Sequence, residues 1–172
     1  MVDAKALQTL ERIIDSGPRP FDIFEYGSSG STVWYGKKNV GQVISVEHTQ
    51  EWHDRVTANC AGLPVQVILR VPASESGLLH SKMMPDMNFS SYINILPELN
   101  RKFDLIMVDG RARVLCFKEA IKHVKQGGYL LLHDAERSWY NPRFRIAPRH
   151  GFVIREIIEA RSTLVCKFGS EG

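Results

Sequence analysis

Hydrophobic positions follow a helical period in some segments of the chain and form short continuous runs in others. From residue 3 to residue 16 the apolar side chains recur every three or four positions, and Gly17-Pro18 ends the pattern, which predicts an amphipathic entry helix over residues 1–17. Residues 21–26 form a short apolar run, and residues 32–38 again have the pattern of a helix. The chain is therefore predicted to open with a helix, a strand, a tight loop and a second helix.

The same alternation continues through most of the chain. It predicts strands over residues 42–47, 65–71, 103–109 and 129–133, and helices over residues 50–60, 114–124 and 138–147. A turn is predicted at Gly127-Gly128, immediately before the strand at 129–133. Strands that alternate with helices predict a parallel sheet with helices on both faces.

Two segments depart from this alternation. Residues 72–102 are rich in Ser, Gly and Met and have weak periodicity, which predicts a lid or substrate loop, with a helix near Tyr92 that Pro97 interrupts. Residues 152–158 and 163–168 read as two strands separated by only four residues. That connection is too short for a helical crossover, so the two strands are predicted to form an antiparallel hairpin.

Length and composition limit the kind of protein. The 172 residues suit a single domain, and the net charge of +3 is too small to imply a nucleic-acid partner by itself. The three cysteines (Cys60, Cys116 and Cys166) lie far apart without metal-ligand spacing, so free thiols are expected. Charged residues interrupt the apolar positions near residue 1, so neither a signal peptide nor a membrane span is predicted and a cytoplasmic location is expected.

Residues 25–32, with the sequence Glu-Tyr-Gly-Ser-Ser-Gly-Ser-Thr, form a loop that joins a predicted strand to a predicted helix. Gly27 and Gly30 allow a tight turn and let a ligand approach the backbone N–H groups at the start of the helix. Glu47 ends the next strand, where an acidic side chain can accept hydrogen bonds from both hydroxyls of a ribose. The alternative for Glu47 is a solvated charge paired with Lys37 or Lys38. The glycine loop and the acid together predict a nucleoside cofactor.

NAD and S-adenosylmethionine both suit such a pair of features. Thr32 stands where a dinucleotide-binding loop has its third glycine, and the carboxylate of Glu25 would repel a pyrophosphate. The same carboxylate would attract the ammonium and sulfonium of S-adenosylmethionine. The residues therefore favour S-adenosylmethionine.

Four segments, residues 25–34, 45–52, 104–113 and 127–134, resemble class I S-adenosylmethionine-dependent methyltransferases. The likeness is greatest to poorly characterised bacterial members, is more distant to plant glucuronoxylan methyltransferases, and covers roughly residues 21–168. It implies a single Rossmann-like α/β domain over residues 1–172, with a mostly parallel sheet, a terminal antiparallel hairpin strand and helices on both faces.

The resemblance also implies a set of cofactor-binding residues. Glu25 and the loop residues Gly27, Ser28, Ser29, Gly30, Ser31 and Thr32 would hold the methionine end, and Glu47 the ribose. His48 and Trp52 would border the adenine, although Trp52 reads equally well as helix core. Val71 and Ala73 would lie near the adenine too, where the family often has an Asp that this chain lacks.

Three residues at the ends of adjacent predicted strands are the candidate catalytic groups. Asp109, His133 and Asp134 should converge beside the methyl group of the cofactor. An oxygen acceptor needs its proton removed or its pKa lowered. His133 would do this as a general base oriented by Asp134, or Asp109 and Asp134 would bind Mg²⁺ for the purpose. The structural alternative is a strand-end cap with a hydrogen-bonded histidine.

Arginines follow these strands and suggest what the acceptor carries. Arg111 and Arg137 are nearest to the strand ends, and residues 137–150 contain arginines and aromatic residues without any acid. Cations and rings together favour an anionic or sugar-like acceptor. The leading hypothesis is O-methylation of a sugar, glycan or other small-molecule hydroxyl. The alternatives are RNA methylation, although nucleic acid is the less favoured partner, and a catalytically silent cofactor-binding or assembly module.

Overall fold

The computed structural model describes residues 4–74, 80–81, 84–135, 151–158 and 163–169. Its helices are α1 Ala4–Ser16, α2 Gly30–Gly36, α3 Gln50–Asn59, α4 Ser90–Ile93, α5 Ile95–Leu99 and α6 Arg113–Ala120, with a 3-10 turn at Ile121–His123. Its strands are β1 Ile23–Tyr26, β2 Val43–Glu47, β3 Val65–Leu69, β4 His80–Ser81, β5 Met84–Asn88, β6 Phe103–Val108, β7 Val124–Leu132, β8 Phe152–Ile158 and β9 Thr163–Phe168.

Seven of these strands form one sheet in the order β3-β2-β1-β6-β7-β9-β8. The first five pair in parallel, whereas β9 is antiparallel to both β7 and β8. The predicted Rossmann-like sheet is confirmed, and so is the terminal hairpin, whose strands have the predicted bounds. The final strand of the chain lies between β7 and β8, so β8 forms the edge.

Alternate residues of each central strand pack on opposite faces of the sheet, as the pleat requires. Phe24 and Tyr26 of β1 contribute to a cluster that includes residues of α4, α5 and α6. Ile23 contributes to the other cluster, with Leu10 of α1 and Tyr35 of α2. Because both faces are covered, the carboxyl ends of the parallel strands are where loops can form a site.

The structure corrects the predicted turn at Gly127-Gly128. Gly127 and Gly128 do not form a turn before a strand but lie inside β7, where the pairing with β6 slips between Phe103 and Leu105. Gly127 has φ +76°, and a Cβ on Gly128 would lie 2.8 Å from the carbonyl oxygen of Asp104. The glycines therefore permit a bulge in a strand. The predicted helix at 138–147 lies outside the described residues.

The segment predicted as a lid is largely ordered structure in the part that is described. It contains an antiparallel pair of β4 and β5, and the backbone of Ala73 pairs with that of Asn88. The helix predicted near Tyr92 is confirmed as α4 and α5, and this stretch buries Phe89, Tyr92, Ile93, Ile95 and Leu96. The role of residues 72–102 as a lid or substrate loop stays a prediction. The helical pattern breaks at Asn94, not at Pro97, because Pro97 lies in the first turn of α5, where its missing N–H has no helical partner to lose.

The sequence also predicts the state of the cysteines and whether a helix crosses a membrane. Cys60, Cys116 and Cys166 are buried free thiols, as expected. None of the helices in the described ranges has the length and apolar character needed to cross a membrane.

Candidate cofactor site

The loops that follow β1, β2 and β6 surround one cavity of about 320 Å³ at the carboxyl ends of these strands. That volume is within the range of small-molecule sites. Eight of the lining residues are predicted site residues, and the other two are Gly110 and Arg113. The lining consists of Gly27, Ser28, Ser29, Glu47, His48, Trp52, Asp109, Gly110, Arg111 and Arg113.

Two glycines that line the cavity, Gly27 and Gly110, approach each other closely. Gly27 has φ +92°, and a Cβ built on it would lie 2.6 Å from Cα of Gly110. A Cβ on Gly110 would lie 1.9 Å from the hydroxyl oxygen of Tyr92. Side chains at either position would therefore collide with the neighbouring loop or with the core. The loops after β1 and β6 can meet only because both residues are glycine.

Ser29 fixes the start of α2. Its side chain accepts a hydrogen bond from the backbone N of Ser31, and the hydroxyl of Thr32 accepts one from the backbone N of Ser29. This reciprocal cap explains why the helix begins at Gly30, two residues before the predicted start. Nothing lies within 4 Å of a Cβ built on Gly30.

Glu25 lies beneath the glycine loop and is fully buried. Its carboxylate accepts hydrogen bonds from the hydroxyls of Ser31 (2.5 Å), Thr32 (2.5 Å) and Ser45 (3.1 Å). Burial raises the pKa of Glu25 to about 7, and the three hydroxyls act in the opposite direction. Glu25, Ser31 and Thr32 therefore support the loop from behind and do not line the cavity. The contact of Glu25 with the ammonium of the cofactor stays a prediction.

Glu47 lies at the end of β2 with only 1% of its surface exposed. One carboxylate oxygen accepts from the backbone N (3.1 Å) and the hydroxyl (3.2 Å) of Ser28, and the other accepts from the backbone N of His48 (2.7 Å) and of Thr49 (3.0 Å). Burial alone would raise the pKa of Glu47, but the contacts with His48 and Thr49 outweigh it and hold that pKa below its usual value.

The alternative of a solvated Glu47 paired with a lysine is wrong. Lys38 pairs with Glu11 instead. No ion pair between Glu47 and Lys37 or Lys38 is present in the described part of the chain, and the carboxylate faces the loop residues of the cavity. Glu47 is thus an ionised acid held rigidly at the edge of the site.

His48 and Trp52 line the side of the cavity next to Glu47. Nδ1 of His48 lies 2.6 Å from Oε1 of Glu47, and the histidine ring is 6.0 Å from that of Phe89. Trp52 is 42% exposed, and the guanidinium of Arg55 lies 4.8 Å from the centre of its ring. The alternative that Trp52 belongs to the helix core is therefore wrong.

Val71 and Ala73 are not brought into this site. Val71 is 57% exposed, Ala73 is also exposed, and neither lines the cavity. Their predicted place beside the adenine has no support in the geometry.

A guanidinium connects the predicted catalytic carboxylates. Arg113, the first residue of α6, places Nη2 3.0 Å from Oδ1 of Asp109 and Nη1 3.0 Å from Oδ2 of Asp134. It also donates to the backbone carbonyl oxygens of Gly110 (2.9 Å) and His133 (2.6 Å). Asp109 and Asp134 therefore lie close together, as predicted for the ends of adjacent strands, with Arg113 between them.

The two carboxylates do not have equal access to the cavity. Asp109 lines it, and burial raises the pKa of Asp109 although His133 and Arg113 oppose the rise. Asp134 has φ +55° and lies outside the lining, as does His133, which is 3% exposed with Nε2 3.5 Å from Oδ1 of Asp134. Arg111 lines the cavity, whereas Arg137 lies outside the described residues.

The predicted magnesium site does not fit these residues. Within the described ranges no group of three or more His, Cys, Asp or Glu side chains is placed to hold a metal ion. The guanidinium of Arg113 already satisfies one oxygen of Asp109 and one of Asp134. The site therefore has a charged side chain where the prediction placed Mg²⁺.

Gly110 and Arg113 line the cavity but are not among the site residues predicted from the sequence. The sequence does contain a signal for Arg113, since it follows Asp109 by four residues and begins a helix next to a strand end. A signal for Gly110 also exists, because a glycine directly after a strand often marks a close approach of two backbones.

Comparison with known proteins shows the fold. No family model matches the sequence, and no curated protein matches it. An rRNA methylase from Streptococcus thermophilus has a TM-score of 0.68 at 9% identity, with 99% of each chain covered. A putative caffeoyl-CoA O-methyltransferase from Staphylococcus aureus has a TM-score of 0.66 at 12% identity, with 98% of this chain and 85% of that one covered.

A methyltransferase-like protein from Silicibacter pomeroyi DSS-3 is also similar, with a TM-score of 0.65 at 20% identity over 95% of this chain and 87% of that one. Structural similarity at identities this low establishes the fold but does not determine the substrate. The chain has the fold of the class I S-adenosylmethionine-dependent methyltransferases.

Proposed function

We propose that this protein is an S-adenosylmethionine-dependent methyltransferase that methylates a hydroxyl group of a sugar, glycan or other small molecule. One observation carries the cofactor part of the proposal: a glycine loop, an ionised buried acid and an exposed tryptophan line the same cavity. The glycine loop suits the methionine end of the cofactor, the acid suits the ribose, and the tryptophan suits the adenine.

Each part of the cofactor has a partner in this arrangement. The backbone of Gly27, Ser28 and Ser29 would hold the methionine end, where no side chain at Gly27 blocks the approach. Glu47 would accept the ribose hydroxyls, and the hydroxyl of Ser28, which now donates to Oε2 at 3.2 Å, would give up that place to the ribose. The exposed face of Trp52 would stack on the adenine.

Methyl transfer places a further demand on the site. The acceptor oxygen attacks the methyl carbon in line with the sulfur, the carbon–sulfur bond breaks, S-adenosylhomocysteine leaves, and the hydroxyl proton must go to an acceptor group. Asp109 would receive that hydrogen bond, because it is the carboxylate among Asp109 and Asp134 that lines the cavity. Arg111 lines the same cavity and suits an anionic or polyhydroxylated acceptor.

Calorimetry with S-adenosylhomocysteine and NAD tests the cofactor assignment. We expect micromolar affinity for S-adenosylhomocysteine and no binding of NAD, because the loop has Thr32 in place of the third glycine of a dinucleotide-binding loop. Equal affinity for the two ligands would refute the assignment.

The acceptor is tested by transfer of a labelled methyl group from S-adenosylmethionine to a panel of sugars, glycans and phenols. Asp109→Asn should lower kcat on any acceptor found, by ~10²-fold or more, while the affinity for S-adenosylhomocysteine changes little. RNA belongs in the same panel, with filter binding at low salt as a second measurement. Label found in RNA and in no small hydroxyl compound would refute the O-methylation part of the proposal.

A further inference from the structure

Arg113 is the one cation that contacts both predicted catalytic carboxylates in the described part of the chain. We infer that Arg113 is a positioning residue: it supplies the fixed positive charge between Asp109 and Asp134 and directs Asp109 into the cavity, so that this site works without a divalent metal ion. The role in methyl transfer rests on the proposed function, whereas the absence of a metal site between the two carboxylates does not.

The side chain of Arg113 is mostly buried and makes several polar contacts. The side chain is only 12% exposed, and its Nε and both terminal nitrogens are engaged. A guanidinium stays protonated at any physiological pH, and its planar fork suits two acceptors at once. Two carboxylates at 16% and 14% exposure would repel each other and lose hydration without a cation between them. Arg113 removes both penalties.

The same contacts connect two loops. Arg113 donates to the carbonyl oxygen of Gly110, which follows β6, and to that of His133, which follows β7. The ends of both strands are therefore held by one side chain that begins α6. A shift of either loop would break at least two of the four contacts, so the relative position of Asp109 and Asp134 is fixed by Arg113.

A divalent cation does not fit in addition to Arg113. Mg²⁺ requires oxygen ligands at about 2.1 Å in an octahedral arrangement, and Ca²⁺ requires six to eight at about 2.3–2.6 Å. Oδ1 of Asp109 and Oδ2 of Asp134 are each 3.0 Å from a guanidinium nitrogen, and the carbonyl oxygens of Gly110 and His133 already accept from Arg113. An ion at this place would need ligands that Arg113 holds and would be repelled by its charge.

One oxygen of Asp109 is left for a ligand. Arg113 contacts Oδ1, whereas Oδ2 receives no hydrogen bond from any residue of the described ranges. Because Asp109 lines the cavity, Oδ2 is the oxygen that can accept from the acceptor hydroxyl. Arg113 thus acts on the reaction through Asp109.

Metal binding is measured first, on the full chain saturated with S-adenosylhomocysteine and, in parallel, on the chain alone. Mn²⁺ is the probe, and the loss of the free Mn²⁺ signal in electron paramagnetic resonance reports binding. We expect no stoichiometric uptake that depends on Asp109. Uptake of one Mn²⁺ per chain that disappears in Asp109→Asn would overturn the inference. This arm decides the inference even if S-adenosylhomocysteine does not bind, an outcome that would refute the proposed function instead.

The positioning role is measured by steady-state kinetics once an acceptor is known. Arg113→Met keeps the length of the side chain and removes its charge, so we expect kcat to fall by ~10²-fold while the affinity for S-adenosylhomocysteine stays within about threefold. Arg113→Lys keeps the charge but cannot bridge both carboxylates, so its kcat should lie between those of Arg113→Met and the wild type. Turnover of the wild type should survive chelation of divalent ions.

Three results would contradict this role. An unchanged kcat in Arg113→Met would remove it. An equal loss of kcat and of cofactor affinity, without improvement in Arg113→Lys, would show that Arg113 only maintains the structure. Loss of wild-type turnover on chelation, restored by Mg²⁺, would return the site to a metal ion. If Arg113→Met does not fold, Arg113→Lys decides by the same comparison: a lower kcat at unchanged cofactor affinity supports the inference, and a wild-type kcat overturns it.

Discussion

The two glycines of the loop after β1 should respond in opposite ways to the same substitution. At Gly27 the added Cβ would lie 2.6 Å from Cα and 2.7 Å from the backbone N of Gly110. Carbon atoms pack best at about 3.5–4.0 Å, so the overlap is about 1 Å and is against backbone, which cannot rotate away. The residue also has φ +92°, which disfavours any side chain. Overpacking and backbone strain together predict that Gly27→Ala lowers the free energy of unfolding by about 2–5 kcal/mol.

Gly30→Ala is the matched control. Gly30 begins α2, is exposed, and has no atom within 4 Å of the position of a Cβ. Alanine there reduces the freedom of the unfolded chain without a collision, so the expected change is between zero and about 1 kcal/mol of added stability. Urea unfolding followed by circular dichroism measures both variants. A wild-type urea midpoint for Gly27→Ala, or an equal loss of stability in both variants, would refute the reasoning from available space.

Three further predictions concern the residues around the cavity. Glu47→Ala should weaken binding of S-adenosylhomocysteine by about 1–3 kcal/mol in calorimetry, since charge-assisted hydrogen bonds to the ribose are lost; unchanged affinity would remove the ribose assignment. Trp52→Ala should cost about 1–3 kcal/mol of the same affinity with little change in melting temperature, because the ring is 42% exposed and would stack on adenine; a large drop in melting temperature would instead indicate a core role. Burial raises the pKa of Glu25 to about 7 in the folded protein, so Glu25 stabilises the fold most below its ordinary pKa of 4.5, and that contribution is lost as the pH rises from there through 7. The free energy of unfolding of the wild type should therefore fall by about 3 kcal/mol between pH 4.5 and 7, and that of Glu25→Gln by clearly less. Urea unfolding at several pH values measures both. Parallel pH profiles of the two proteins would contradict the assigned pKa.

Local patterns in the sequence were sufficient for most of the architecture. The period of apolar residues located α1, α3 and the central strands, because each of these elements buries one face or both faces regardless of its neighbours. The hairpin of β8 and β9 followed from the four residues between them, since so short a connection permits only antiparallel pairing. Gly27 and Glu47 were identified for the same reason, because each stands at the end of a strand that the sequence itself defines.

Features that depend on a distant partner were not accessible in this way. A pair of glycines such as Gly127-Gly128 suits a turn and a bulge equally well, and only the pairing of β7 with β6 distinguishes the two structures. The stretch predicted as one helix interrupted at Pro97 is two short helices, α4 and α5, which separate at Asn94 and bury Tyr92 and Leu96 in the core. Short helices are stabilised by tertiary packing more than by their own sequence, so the sequence predicts a helix here but not the position of its break.

Arg113 shows how the chemistry of a site depends on such distant partners. The sequence predicts Asp109 and Asp134 at the ends of adjacent strands, and one of the two mechanisms predicted for activating an acceptor hydroxyl placed Mg²⁺ on these carboxylates. It did not show that Arg113 would contact both carboxylates: Arg111 is nearer to the strand end, but Arg113 begins α6 and lies beside Asp109 in the first turn of that helix. Because the partners of Arg113 are four residues before it and 21 residues after it, no single window of sequence contains the whole arrangement. A protein-supplied cation, unlike a metal ion, cannot be exchanged or removed, so the charge balance of this site is set by the chain itself.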